Sequence, residues 1–215
     1  GLKPTRAEVV RYLGYPAGAE GQARVAERLD QILGSLPDGL RPRSVYRIYP
    51  VTRASPHRLE LAGGAVFQGR IGEFLGQAER AAVFVATAGP EIVKMAEAAM
   101  RARDTLAGLV YHAVGAALAE AMVERTIEQL RSCLRAGEAL TLPYSPGYCG
   151  IPLEEQRVLF GLVDAWRIGV ELLPTLIMKP VKSISGLIGM GPADHVRAYG
   201  NPCDRCPRED CRMRR

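Results

Sequence analysis

Hydrophobic positions recur at helical spacing through the first forty residues, and then the period changes. Over Thr5–Leu13 the residues Val9, Val10 and Leu13 fall on one side, and Tyr15-Pro16-Ala17-Gly18 breaks the pattern. From about Gly21 to Leu36 the spacing of Val25, Leu29, Ile32, Leu33 and Leu36 predicts a second helix, which Pro37-Asp38-Gly39 ends. Ser44–Val51 and Arg58–Gln68 are rich in Val, Tyr, Ile, Leu and Phe and predict strands. Pro50 and Pro56 predict that the first of these ends early or lies on an edge, because proline cannot donate to a ladder. Ile71–Gln77 predicts a short helix and Ala81–Thr87 a buried strand. Gly89-Pro90 opens the next helix, with proline in its favoured first turn.

Ile92–Arg101 and Thr105–Ala136 are helical by pattern. The second carries Leu109, Val110, Val114, Leu118, Met122, Ile127, Leu130 and Leu134, and its alanines (Ala113, Ala116, Ala117, Ala119, Ala121) allow close approach of other elements. After Gly137 the reading is an extended Leu140–Tyr148, a helix over Leu153–Trp166, and short strands near Leu172–Met178 and Ser183–Ile188 with a turn at Pro180. From Gly189 onward Gly, Pro, charge and cysteine leave no core periodicity. This order of elements predicts an α+β single domain: a mostly antiparallel twisted sheet with long helices. The expected organisation is a helical segment over 1–40, an α+β core over 41–192, and a Cys-rich metal-binding tail over 193–215 packed on that core. Neither a Gly-x-Gly-x-x-Gly nor a P-loop is present, so those nucleotide-binding signatures do not apply.

Composition narrows the picture only modestly. Lys and Arg number 28 against 23 Asp and Glu, and Arg205, Arg208, Arg212, Arg214 and Arg215 hold five of the positive charges within the C-terminal tail. The remainder is near neutral with no basic stripe interleaved with aromatics, so no nucleic-acid partner is expected. No run approaches the ~20 apolar residues of a membrane span, and Gly-Leu-Lys-Pro-Thr-Arg has no signal-peptide core. The five cysteines, three of them clustered, do not form a disulfide framework in a chain this large. A reduced, cytoplasmic protein with no membrane partner is the expectation.

Three stretches carry a family resemblance. Asp104–Arg131 contains Leu118-Ala119-Glu120-Ala121 followed by Glu124. Tyr144-Ser145-Pro146-Gly147-Tyr148 lies further on, and Met178-Lys179-Pro180-Val181-Lys182-Ser183-Ile184-Ser185-Gly186 follows it. In this order they resemble the activation (reactivation) domain of cobalamin-dependent methionine synthase and its free-standing relatives: a long helix, an Arg-x-x-x-Gly-Tyr loop and a Met-x-Pro-x-x-Ser-Val-Ser-Gly hairpin. The resemblance implies a methionine synthase activation domain-like fold that binds S-adenosylmethionine and caps the corrinoid of its partner, so that inactive cob(II)alamin can be reduced and remethylated. Carried over by position, Glu120, Glu124, Tyr144, Ser145, Gly147, Tyr148, Ser185 and Gly186 form the cofactor site. Carboxylates suit a cationic sulfonium, and extended backbone can hydrogen-bond an adenine edge. The same residues also suit bland roles: Glu120 and Glu124 a solvated helix face, Tyr148 a turn aromatic, Ser183 and Ser185 a hairpin. Two departures stand out. The family's arginine, which grips the ligand carboxylate, falls on Pro143, and a tyrosine after Ser-Gly falls on Ile188. Lys179, Lys182 and Arg157 are the cations considered as substitutes.

Cys203-Asp204-Arg205-Cys206-Pro207-Arg208-Glu209-Asp210-Cys211 is a local chemical signal outside the resemblance. A Cys-x-x-Cys turn aims two thiolates at one centre, a third cysteine can close the shell, and neighbouring arginines favour thiolate. Cys149, in a Gly-Tyr-Cys-Gly loop, is the best fourth ligand. Cys133 belongs to an apolar helical stripe, and His195 is an alternative for zinc. A tail of reduced thiols or a redox disulfide is the plain alternative. A 4Fe-4S iron–sulfur cluster is preferred to zinc because reactivation consumes an electron; spacing alone does not decide it.

The reading expected from all of this is a reductive activator with no catalytic residue of its own, working on a corrinoid-binding methyltransferase. The chain has no Asp-x-His-x-x-Gly loop, so cobalamin is expected on a separate partner protein. The competing reading is a non-catalytic capping or assembly module with structural zinc. A free-standing adenosylmethionine-dependent methyltransferase is disfavoured by the missing glycine-rich loop.

Overall fold

The computed structural model describes residues 2–14, 23–75 and 77–197. The helices are α1 (Arg6–Tyr12), α2 (Ala23–Gly34), α3 (Ile71–Leu75), α4 (Pro90–Arg101), α5 (Thr105–Arg131), α6 (Gln156–Leu162) and α7 (Ala193–Arg197). The strands are β1 (Arg43–Ser55), β2 (Arg58–Leu61), β3 (Val66–Gln68), β4 (Arg80–Thr87), β5 (Glu138–Leu140), β6 (Glu171–Leu172), β7 (Met178–Lys179) and β8 (Ser183–Pro192). One six-stranded sheet has the order β3-β2-β1-β4-β8-β5, and β6 and β7 form a separate hairpin. The pairs β1–β2, β2–β3 and β5–β8 are antiparallel. The expected α+β class with an antiparallel sheet and long helices is what the chain adopts.

Contacts divide the chain into two compact units: residues 1–45, 86–126 and 165–184, and residues 46–85, 127–164 and 185–215. The first is helical in character. Its core joins Leu29 and Ile32 of α2, Ile92 of α4, and Val110, Val114 and Leu118 of α5, all at most 3 % exposed. The alanines of α5 permit this: Ala113 and Ala117 are buried where larger side chains would hold neighbours away. Among the described helices α5 is long and apolar enough to cross a membrane, but 61 % of its apolar window is buried within the protein, as befits a core helix. The helix α1 starts at a capping box, in which Thr5 Oγ1 accepts the Glu8 N–H and the Glu8 carboxylate accepts the Thr5 N–H.

The second unit packs the sheet around Phe67, Phe84, Leu59, Leu61 and Leu187, each fully buried. Pro50 corrects an expectation here. The strand β1 runs through it and lies between β2 and β4, neither stopping nor forming an edge. Pro50 serves as an acceptor, taking the Ala62 N–H at 2.9 Å, while the next N–H, of Val51, donates to Glu79 O at 2.8 Å. A register irregularity follows between Val51 and Arg53 in the pairing with β2. Other boundaries differ as well: Arg58–Gln68 is two strands, β2 and β3, and the helix expected over Thr105–Ala136 ends at Arg131. Leu172–Met178 is not one strand but the two arms of the β6–β7 hairpin. The helix expected over Leu153–Trp166 is a 3-10 turn at Leu153–Glu155 followed by α6. The strand β8 continues to Pro192, burying Met190 completely, where no core role was expected after Gly189.

Candidate functional site

Two of the three resembling stretches meet in the second unit. Tyr144 and Leu187 exchange backbone hydrogen bonds, Tyr144 N–H to Leu187 O at 2.9 Å and Leu187 N–H to Tyr144 O at 2.8 Å. The exchange lays the start of the Tyr144–Tyr148 loop against Ser185-Gly186, both buried in β8. Glycine is required at 186: a Cβ there would fall 2.7 Å from Tyr144 O and 2.9 Å from the Phe84 ring. The Tyr144 ring is buried and stacks on Phe74 of α3, centroids 4.5 Å apart and planes 8° from parallel.

Beyond Tyr144 the loop is two consecutive turns. Tyr148 N–H donates to Ser145 O at 3.2 Å across Pro146-Gly147, with Gly147 at φ 87° as a type II turn requires. Ile151 N–H donates to Tyr148 O at 3.0 Å across Cys149 (φ 53°) and Gly150 (φ 79°), a pair with both angles positive as in a type I′ turn. Gly147 N–H closes the loop on Ile151 O at 2.9 Å. Tyr148 stands at the shared corner with 66 % of its surface exposed, flanked in sequence by exposed Leu142 and Leu153. Turn backbone with a projecting aromatic can stack a flat ligand and hydrogen-bond its edge.

The loop is braced from β3 and α3. A Cβ on Gly69 would lie 2.7 Å from Gly150 O and 2.5 Å from Pro152 Cδ, and Arg70 N–H donates to Gly150 O at 3.2 Å. Glu155, buried just after the loop, accepts the Gln68 N–H; burial nevertheless raises its pKa above the ordinary glutamate value.

The family model for the activation domain of vitamin B12-dependent methionine synthase matches residues 73–201, more than half of the chain and including all three stretches. The chain belongs to this family. A solved structure of the MetH reactivation domain bound to AdoHcy aligns with TM-score 0.65 at 20 % identity, covering 86 % of this chain and 75 % of that one. At that identity the likeness shows the fold. Among curated proteins none matches.

Glu120 and Glu124, on the activation-domain long helix α5, belong to the first unit; Glu120 is half-buried and Glu124 exposed. Of the two departures, Pro143 is half-buried and Ile188 is fully buried, so its side chain belongs to the core. The three substitute cations differ. Lys179 pairs with Glu171 at 3.3 Å on the β6–β7 hairpin. The Lys182 stem covers Gly115 of α5, where a Cβ would meet its Cγ at 2.9 Å, and burial lowers its pKa. Arg157 is exposed on α6. Sequence reasoning missed Arg70, Phe74 and Glu155. No motif spacing marks them, because they reach the loop through tertiary contact alone.

Cys203, Cys206 and Cys211 lie outside the described residues. Cys149 is half-buried in the type I′ turn, and Cys133 is half-buried past the end of α5 rather than in the core. His195 is exposed on α7. Among the described residues no three metal-ligating side chains converge.

Proposed function

We propose that this activation-domain protein is a reductive reactivation partner of a cobalamin-dependent methyltransferase, docking on a corrinoid-binding domain outside these 215 residues. The observation that supports it most is the backbone bridge between Tyr144 and Leu187, which builds one surface from two separately resembling stretches. In this reading the Tyr144–Tyr148 loop and the β8 backbone at Ser185-Gly186 face the corrinoid and the methyl donor. The donor is S-adenosylmethionine; AdoHcy, bound in the structural relative, is what remains once its methyl group has left. One electron takes cob(II)alamin to cob(I)alamin, which then takes the methyl group as a cation. The protein's share is positioning, exclusion of water and electron relay, with the bond chemistry left to the cofactors. Pro143 and Ile188 remove two family contacts, so donor affinity is expected to be weaker than micromolar, and a calorimetric titration giving a sub-micromolar value would contradict this.

The relay assigned to the protein is an iron–sulfur cluster on Cys203, Cys206, Cys211 and Cys149. Thiolates at this spacing suit such a centre, and the cationic residues around them favour the ionised form. The test mixes anaerobically purified protein with a corrinoid methyltransferase from the same organism and follows the cob(II)alamin absorption under reducing conditions. Faster conversion to cob(I)alamin or methylcobalamin, lost in Cys206→Ala, is the expected result. Zinc in place of iron, with binding but no change at cobalt, points to a capping module. No binding to any corrinoid protein overturns the reading.

A further inference from the structure

An exposed aromatic ring stacks a ligand well only if its backbone is held, because freedom kept until binding must be lost on binding. Tyr148 is 66 % exposed and stands between two turns, in no helix or strand. Its pose therefore depends on what holds the two ends of residues 144–150. One short stretch, residues 69–74, holds both. At the near end the Phe74 ring stacks on Tyr144, with centroids 4.5 Å apart. At the far end the Arg70 N–H donates to Gly150 O at 3.2 Å. That approach needs glycine at 69, which holds φ 83°: a Cβ there would fall 2.7 Å from Gly150 O and 2.5 Å from Pro152 Cδ. The two anchors are themselves one helical turn apart, with the Phe74 N–H on Arg70 O at 3.4 Å. The separation of the loop's ends is thus set by the start of α3. Between them Cys149 is kept at φ 53°, a conformation that a residue with a side chain adopts where its surroundings enforce it.

We infer that Gly69 and Phe74 are positioning residues for the ligand, acting through the loop backbone to hold Tyr148 where its ring can stack a flat base. The inference rests on the methyl-donor reading above. Phe74 is 3 % exposed and Gly69 has no side chain, so neither has to touch the ligand to matter. Phe74 fixes where the loop begins, and Gly69 lets Arg70 reach the carbonyl where it turns back. Releasing either anchor restores motion to both turns, and the stacking partner must then order them as it binds.

The probe is methylthioadenosine, which presents the base without an amino-acid tail. Its affinity is measured by calorimetric titration for wild type, Gly69→Ala, Phe74→Leu and a control, Phe67→Leu, which removes a fully buried ring from β3. Amide hydrogen exchange in the ligand-free proteins follows Ile151, whose N–H closes the second turn on Tyr148 O. Gly69→Ala and Phe74→Leu are each expected to quicken exchange at Ile151 about tenfold relative to the β4 amides and to weaken the probe about tenfold, while Phe67→Leu leaves both unchanged. Tyr148→Ala costs less affinity in the Gly69→Ala background than in wild type, because that ring is no longer held. A general loss of stability would not produce this coupling. If Phe74→Leu does not fold, Gly69→Ala decides by itself. Unchanged exchange at Ile151 in Gly69→Ala, or an equal loss of affinity in Phe67→Leu, overturns the inference and leaves the methyl-donor reading in place. A wild type that binds neither methylthioadenosine nor S-adenosylhomocysteine overturns that reading, and the positioning role falls with it.

Discussion

The helical core around α5 and the junction at Tyr144 both depend on glycine, but they close on different things. A Cβ on Gly108 of α5 would fall 2.4 Å from Met100 Sδ and 2.7 Å from its Cγ. Met100 is 46 % exposed, and its thioether end can swing into solvent. A Cβ on Gly186 meets the Tyr144 carbonyl and the Phe84 ring, and neither can retreat: the carbonyl accepts the Leu187 N–H and the ring is fully buried. The close approach at Gly108 is thus met by a flexible side chain, and the one at Gly186 by backbone and a locked aromatic. One tolerates sequence change; the other fixes geometry to a few tenths of an ångström, as a surface that positions a cofactor must.

The same substitution at the two glycines tests this difference most severely. Gly186→Ala is expected to cost about 3 kcal/mol, the upper range for overpacking a closed core. Gly108→Ala is expected to change stability by less than about 1 kcal/mol, since better helix propensity offsets the displacement of Met100. Urea denaturation of both variants measures the contrast, and equal losses would dissolve it.

The two regions were also unequally legible in the sequence. The helices α4 and α5 follow directly from their apolar periods and from Gly89-Pro90, because helical burial repeats along the chain. At the junction Pro146-Gly147 is readable as a turn, and Ser185-Gly186 stands out through the family resemblance. Their supports are not readable. Arg70 directly precedes α3, Phe74 lies within it, and Glu155 lies in a 3-10 turn before α6. Arg70 and Phe74 reach the loop across dozens of residues of sequence, and Glu155, just past it, binds back to Gln68, so no spacing predicts these contacts. Pro50 misled for a related reason: only the sheet order, with β2 on one side of β1 and β4 on the other, shows that its strand is not an edge.

A smaller effect sharpens the picture within the junction. Cys149 holds φ 53° in a type I′ turn, where a side chain strains the backbone by about 1 kcal/mol relative to glycine. Cys149→Gly is therefore expected to raise the stability of metal-free protein by about that amount. If Cys149 ligates the proposed cluster, the same variant loses iron, and the metal-loaded protein becomes less stable despite the relaxed turn. Metal analysis alongside thermal unfolding separates the two, and a variant retaining full iron removes Cys149 from the ligand set.

The smallest expected effect concerns pH, and it arises because the junction is braced by an ionisable group whereas the α5 core is braced by apolar ones. Glu155 is 7 % exposed, and its Oε2 has no hydrogen-bond partner among the described residues. Burial raises its pKa, the Gln68 N–H partly offsets this, and the neighbouring Glu154 adds to the rise. A carboxyl whose folded pKa exceeds its unfolded one keeps its proton longer when folded. Between the two values the folded state binds more protons, so stability falls as pH rises through that window and stays lower above it. Glu155→Gln has no proton to lose while keeping an oxygen for the Gln68 N–H. Its stability relative to wild type should therefore improve from the acid side of the ordinary glutamate range toward neutrality, then level off. Urea denaturation of both proteins at several values between about pH 4 and 8 reads the difference directly. Parallel curves would mean that Glu155 ionises as freely in the folded protein as in the unfolded chain, and that the junction is not held by a buried carboxyl.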